Sequence, residues 1–178
     1  KRKEANPEEK VVWDAFFVQA AAKALEKFER MKCRLENNKI ILSANNAIGV
    51  AVDIDDNLYV IPVRNPLSKD VFAISHEILS RMEKIQDGDP EAKKLEPANI
   101  TISNLGGSHI ESFFAIVNPP EAAILAIGKI APVPCVVDNE LAIRNQVKLS
   151  LSIDHRVVSG KYAANFLRAL VKEIETIS

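Results

Sequence analysis

Apolar side chains return every three or four positions at Val12, Phe16, Val18, Ala22, Leu25 and Phe28, the spacing that gathers them on one face of a helix. Asn6-Pro7-Glu8-Glu9 predicts its start: a capping Asn, a Pro at the first helical position and acids at the positive end of the dipole. The pattern carries to about Met31. A second stripe, Val71, Phe72, Ile74, Ile78, Leu79, Met82 and Ile85, follows Ser68 as its expected cap and stops at Gly88 and Pro90. The third runs through Ala163, Phe166, Leu167, Leu170, Val171, Ile174 and Ile177, with Ser159 placed to cap it.

Between the helices the period changes. Lys39 to Leu42, Ile48 to Val52 and Leu58 to Val63 are short β-rich runs, the last two joined by the turn-forming Asp55-Asp56-Asn57. Pro62 belongs near the end of its strand or on a sheet edge, because it has no N–H for a ladder. Ile100 to Ser103, Phe113 to Val117, Ala122 to Ile127 and Val133 to Val137 read as further strands, and Asn139 as a hairpin residue ahead of Leu141. Leu149, Leu151 and Ile153 alternate with Ser150, Ser152 and Asp154, a strand with one buried face. Three helices and about eight strands, without strict βαβ alternation, predict an α/β two-layer sandwich in which helices cover a mixed β-sheet.

Composition narrows the function classes. A chain of 178 residues with 47% apolar content and a formal charge of −1 is an ordinary globular chain, long enough for one core. Acids balance the bases and no basic run is interleaved with aromatics, so a nucleic-acid partner is not expected. Neither a membrane span nor an apolar segment of signal-peptide type is visible, which predicts an intracellular protein. Cys33 and Cys135 stand apart with no histidine at ligand spacing, as reduced packing residues do, and no metal site is expected.

Candidate chemistry concentrates near His155. It has the parity of Leu149, Leu151 and Ile153, so a strand continuing to it would turn its imidazole inward, flanked by Asp154 and Arg156. A lone histidine of this kind is more often a hydrogen-bonded core residue than a catalyst. Gly106 and Gly107, directly after a strand, allow close backbone approach, although a plain glycine turn explains them equally well. Trp13, Phe16 and Phe17 are expected to pack in the core, and His76 to sit off its helix's apolar stripe.

The string Asp154-His155-Arg156-Val157-Val158-Ser159-Gly160 resembles the Asp-His-Arg-x-x-Asp-Gly signature of the dihydrolipoamide acyltransferase cores of 2-oxo acid dehydrogenase complexes, with Ser159 where that family usually has Asp. Three more blocks resemble the same family in the same order: Gly49 to Asp53 with Leu58 to Val60, Thr101-Ile102-Ser103-Asn104-Leu105-Gly106, and Asn118-Pro119-Pro120 through Gly128. The resemblance implies a chloramphenicol acetyltransferase-like fold and a catalytic domain over residues 1–178. Such domains usually begin earlier, with a basic helix and a strand, so the expectation is a catalytic domain over these residues without that first part and without a lipoyl or subunit-binding domain.

By that resemblance the chain transfers an acyl group, most like the acetyl-transferring members, between the dihydrolipoyl arm of a separate domain and coenzyme A. His155 is then the general base, Ser103 the oxyanion donor supplied across a trimer interface, and Ser159 stands where a carboxylate would help orient the histidine. Asp53, Ser103, Asn104, Gly128 and Ile130 match positions lining the coenzyme A half of the channel. Expected partners are copies of the chain in a homotrimer that builds a larger core, the lipoyl domain, the decarboxylase and the dihydrolipoamide dehydrogenase. The expected compartment is the cytoplasm, or the mitochondrial matrix in a eukaryote. The substituted Ser159 leaves a second reading, a structural core or scaffold subunit without turnover.

Overall fold

The computed structural model describes residues 10–43, 46–94 and 96–176. Its helices are α1 (Trp13–Lys27), α2 (Val71–Gln86) and α3 (Gly160–Glu175). The strands, in chain order, are β1 (Cys33–Glu36), β2 (Lys39–Leu42), β3 (Ala47–Ile54), β4 (Asn57–Arg64), β5 (Ile100–Asn104), β6 (Ala123–Ile127), β7 (Ala131–Val137), β8 (Glu140–Gln146) and β9 (Leu149–Ile153). Five of them form one sheet in the order β4-β3-β5-β6-β9, and β1-β2 and β7-β8 are separate hairpins. The sheet is mixed: β5 runs parallel to both β3 and β6, while β4 and β9 close the two edges antiparallel.

Alternation along the strands decides which face is covered. Ile48, Val50, Ile61, Val63, Ile100, Ile102, Ala123, Leu125 and Ile127 share one face and pack into a single core with Phe17 and Val18 of α1, Ile74 and Ile78 of α2, and Phe166 and Leu170 of α3. All three helices therefore lie on the same side, the two-layer arrangement expected from the pattern. The opposite face carries Gly49, Ala51, Asp53, Thr101, Ser103, Ala126, Ser150 and Ser152, together with Ile124 and, on the edge strand, Leu58, Val60 and Pro62. Its middle is built of small and polar side chains, and none of the three helices packs on it.

Three hairpins use one device. Asn37 and Asn38, Asp55 and Asp56, and Asp138 and Asn139 occupy two-residue loops with both φ angles between 48° and 66°. Such loops match the twist of the flanking strands, and Asn and Asp tolerate the left-handed conformation best after glycine. Pro62 lies on the edge strand β4, opposite Gly49, as its missing N–H requires.

Several expectations are corrected. Asn6 to Glu9 and Ile177 fall outside the described residues, and α1 as described starts at Trp13. It ends at Lys27, and Glu29–Lys32 continue as a 3₁₀ turn. The cap of α2 is Asp70, whose Oδ1 accepts the Ala73 N–H at 2.8 Å. Ser68 instead closes the short Pro66–Ser68 turn, donating to the Asn65 carbonyl. Phe113 to Val117 alternates like a strand, with Phe113, Ala115 and Val117 half-buried, but forms no ladder among the described residues. Ser159 does cap α3, its hydroxyl accepting the Tyr162 N–H.

Phe166 is fully buried where α3 meets α1, in edge contact with Phe28 at 5.7 Å, and Phe28 in turn meets Tyr162 at 5.3 Å. Phe166→Ala is expected to cost about 3–5 kcal/mol, the transfer and cavity terms of a buried ring. Urea unfolding checks this, and a loss below about 1 kcal/mol would mean that the helix layer is not seated as described.

Candidate functional site

Ser103 stands on the open face of the sheet near the end of β5. Its register neighbours are Ala51 of β3 and Ala126 of β6. Two side chains of a single carbon leave the hydroxyl clear of the neighbouring strands. Asp53 lies on the same face, two residues beyond Ala51, and is exposed.

Asn104 has the opposite parity and faces α1. It lines a narrow cleft of about 220 Å³ with Trp13, Phe17, Gly106, Gly107, Ile127, Gly128 and Ile130. Close backbone packing shapes this cleft. A side chain on Gly128 would collide with the Glu111 carbonyl, and one on Gly106 would meet the Gly128 carbonyl at 2.7 Å. Phe17 is buried in the core as expected, whereas Trp13 is 50% exposed at the cleft mouth, leaning on Phe16 with ring centroids 5.7 Å apart. The expectation of core packing for Trp13 is thereby corrected. Its place at the start of α1 puts it at the sheet's end rather than over its middle.

Asp14, beside Trp13, was not legible as a site residue. An acid in a helix's first turn ordinarily answers the dipole. Here the carboxyl is half-buried, and burial pushes its pKa above the ordinary carboxylate value, with the neighbouring Asn104 side chain acting in the opposite direction.

His155 does not continue β9, which ends at Ile153. Asp154 turns the chain instead. Its N–H donates to the Ala122 carbonyl, and its own carbonyl accepts the N–H groups of Val157 at 2.9 Å and Val158 at 3.0 Å. The Asp154 carboxylate accepts the Arg156 N–H at 3.0 Å and grips the Arg156 guanidinium at 2.9 and 2.7 Å. Val157 and Val158 are buried pegs, and Arg30 Nε donates to the Val157 carbonyl at 2.8 Å. His155 is therefore exposed on a rigid turn, not inward on a strand. A Cβ on Gly160 would lie 4.0 Å from its Nε2, so the ring sits at the start of α3, beside Ser159.

The predicted residues thus fall into three places. Asn104, Gly128 and Ile130 share the cleft, Ser103 and Asp53 share the open face at the same end of the sheet, and His155 and Ser159 lie at the other end. Ser103 is level with Ser150 through Ala126, while His155 lies past Ile153. Three residues of rise and two interstrand steps put Ser103 and Ile153 about 14 Å apart. Within one chain, Ser103 and His155 cannot meet at one reacting atom.

Among the described residues no group of His, Cys, Asp and Glu is arranged to hold a metal ion, and no helix is long and apolar enough to cross a membrane. Cys33 and Cys135 are unbridged.

The family described as 2-oxoacid dehydrogenases acyltransferase (catalytic domain) matches residues 1–178. The lipoamide acyltransferase component of the branched-chain alpha-keto acid dehydrogenase complex of Bacillus subtilis is 35% identical over 92% of this chain, which spans 39% of that relative's length. A probable dihydrolipoamide acetyltransferase from Listeria monocytogenes superposes with a TM-score of 0.90 at 34% identity, covering 99% of this chain and 75% of its own. The cubic core of a pyruvate dehydrogenase multienzyme complex gives 0.88 at 31% identity, over 97% of this chain and 73% of the other. Azotobacter vinelandii dihydrolipoamide acetyltransferase gives 0.89 at 30% identity over 99% and 74%. In it a serine, a histidine 52 positions later and an asparagine four further on have been investigated for their role in the catalytic mechanism. A chloramphenicol acetyltransferase shares the fold, with a TM-score of 0.61 at 15% identity over 97% of this chain and 81% of that one.

The Asp154–Arg156 pair predicts a pH dependence. The hydrogen bonds from Arg156 hold the Asp154 carboxyl below its ordinary range. A depressed acid contributes stability above its unfolded value, and loses that contribution as pH falls through the folded one. Asp154→Asn should therefore melt lower than the parent at neutral pH, with the gap closing below about pH 4. Melting curves across pH check this, and a gap that persists in strong acid would assign the effect to packing.

Proposed function

The chain belongs to the family of 2-oxoacid dehydrogenase acyltransferase catalytic domains, and we propose that it transfers an acyl group between a dihydrolipoyl thiol and coenzyme A. Acetyl is the proposed group, since two of the solved relatives are dihydrolipoamide acetyltransferases. The observation that carries this reading is the spacing and setting of Ser103, His155 and Ser159. The intervals from 103 to 155 and from 155 to 159 are 52 and four positions, those of the serine, histidine and asparagine studied in the Azotobacter enzyme.

The chemistry follows from the side chains. A thiol with a pKa of about 8.5 is mostly protonated at neutral pH, so it needs a base as it attacks a thioester. His155, exposed on a turn held by Asp154 and Arg30, takes that proton on a ring nitrogen and returns it to the departing thiol. The tetrahedral oxyanion receives a hydrogen bond from the Ser103 hydroxyl, which stands clear between two alanines. No covalent acyl-enzyme is needed. The cleft between Trp13, Asn104, Gly128 and Ile130 suits the slender thiol-bearing arm of coenzyme A, being narrower than the pockets that enclose ring-shaped ligands.

One site draws on two copies. The separation of Ser103 from His155 supports this, and so does apolar surface that none of the described residues covers: Phe114 is 85%, Ile116 91% and Leu141 86% exposed. A homotrimer assembling into a larger core is proposed, served by a lipoyl domain, the decarboxylase and dihydrolipoamide dehydrogenase, in the cytoplasm or the mitochondrial matrix. A scaffold role is favoured by one feature, the Ser159 hydroxyl already engaged as a helix cap.

Transfer from acetyl-coenzyme A to free dihydrolipoamide tests the reading. His155→Ala should lower it about 10²- to 10⁴-fold and Ser103→Ala about 10²- to 10³-fold. Coexpression of the two variants should restore activity at about a quarter of the sites, because each chain then supplies what the other lacks. Histidine-independent turnover would refute the mechanism, and an assembled protein with no turnover would support the scaffold.

Ser159→Asp should raise the rate by up to about tenfold, since a carboxylate stabilises the imidazolium as a hydroxyl cannot, while still capping α3. Equal rates for the Asp, Ser and Ala forms would reduce residue 159 to a cap.

A further inference from the structure

Two hydrogen bonds join the corner after α1 to the turn that carries His155 and to the helix that follows it. Arg30 Nε donates to the Val157 carbonyl at 2.8 Å, across 127 positions of chain, and the Arg30 N–H donates to the Tyr162 hydroxyl at 3.3 Å. The corner is itself firmly seated. Arg30 belongs to the Glu29–Lys32 3₁₀ turn, in which Met31 is fully buried and donates its N–H to the Phe28 carbonyl at 3.0 Å. Phe28 in turn meets the rings of Tyr162 and Phe166 edge-on. Arg30 therefore reaches the turn from a part of the fold that is packed against α3.

The turn needs a support of this kind. Its own bonds, from the N–H groups of Arg156, Val157 and Val158 to Asp154, fix its shape but not its tilt against the sheet. Tilt is set from outside, by the Asp154 N–H on the Ala122 carbonyl at 2.8 Å before His155 and by Arg30 on the Val157 carbonyl after it. His155 stands between these two supports. Val157 and Val158, 1% and 0% exposed, hold the turn down, yet apolar contact is non-directional. A charged N–H donor on a carbonyl is directional, and Nε is the guanidinium nitrogen nearest the backbone.

We propose that Arg30 is a positioning residue for the acyl transfer: by holding the Val157 carbonyl it aims the His155 imidazole at the reacting thiol, without touching the reacting atoms itself. This rests on the acyltransferase reading for its consequence in turnover, and on the hydrogen bonds alone for the support of the turn. Proton transfer needs heavy atoms within about 2.6–3.2 Å, and a misplacement of about 1 Å can cost about a hundredfold in rate. Arg30 thus acts on the step that His155 performs. The cleft between Trp13 and Gly128, at the other end of the sheet, does not depend on it.

The test uses the assembled protein and two replacements of matched length. In Arg30→Gln the amide nitrogen stands as many bonds from the backbone as Nε and still donates, whereas Arg30→Met has a methyl group there and donates nothing. Arg30→Met should lower kcat about 10- to 100-fold while the KM for coenzyme A stays within about twofold of the parent. Arg30→Gln should return kcat to within about threefold of the parent. The pH profile of kcat/KM should keep its midpoint in both variants, since Arg30 is assigned no contact with the imidazole. Amide exchange supplies a readout that does not need turnover: the Val157 and Val158 N–H groups should exchange faster in Arg30→Met and at the parent rate in Arg30→Gln, with the Leu125 N–H in β6 protected throughout. An unchanged kcat in Arg30→Met, equal losses in the two variants, a shifted pH midpoint, or unchanged exchange at Val157 and Val158 would each overturn the proposal. A parent chain without His155-dependent transfer would instead overturn the acyltransferase reading beneath it.

Discussion

Period-two alternation along β5 sends Ile100 and Ile102 into the helix layer and leaves Thr101 and Ser103 on the other face, and most of the molecule follows from that split. The strand is central and parallel to both neighbours, so its register aligns Ala51 and Ala126 beside Ser103. A shift of one residue would exchange the isoleucines for the hydroxyls. It would turn Thr101 and Ser103 into the helix layer and take Ile100 and Ile102 out of it, so the core specifies the register strongly. The site serine is thus held by the same constraint that builds the core.

What α1, α2 and α3 leave open is as informative as what they cover. Small and polar side chains fill the middle of the far face, with Leu58 exposed at its edge, and Phe114, Ile116 and Leu141 also stand exposed. Those exposed apolar side chains leave area for a partner to cover. In the proposed acyl transfer each chain presents half of a reaction centre on a rigid support, Ser103 on a strand and His155 on a pegged turn. Both supports are stiff for local reasons: ladder hydrogen bonds for Ser103, and the Asp154 carbonyl and carboxylate for His155.

Glycine has a specific use at the cleft. Gly106 and Gly128 are required by backbone approach rather than by turn conformation, since neither has a positive φ. Their packing leaves a narrow slot beside Trp13. Aromatic residues at the start of α1 seemed suited to the core, and Phe17 is there, but Trp13 at the helix's first position overhangs the sheet's edge and meets solvent.

Periodicity alone determined the three helices, most strands, the two-layer class and the hairpin turns at Asp55 and Asn139, because these depend on which side chains must leave water and which residues accept a left-handed backbone. The family resemblance likewise rested on short strings whose order is a property of the chain. Contacts between distant segments decided the rest. Phe113 to Val117 has a strand's alternation, and Phe113, Ala115 and Val117 are half-buried, yet among the described residues no strand pairs with it. His155 has the parity of a buried residue, yet the Asp154 hydrogen bonds end β9 two residues before it. Asp14 looks like a dipole partner, yet the fold half-buries it and burial raises its pKa. Ser68 looks like a cap until Asp70 takes the Ala73 N–H. In each case local preference left several outcomes of similar energy, and the tertiary partner, absent from any local stretch of sequence, selected one.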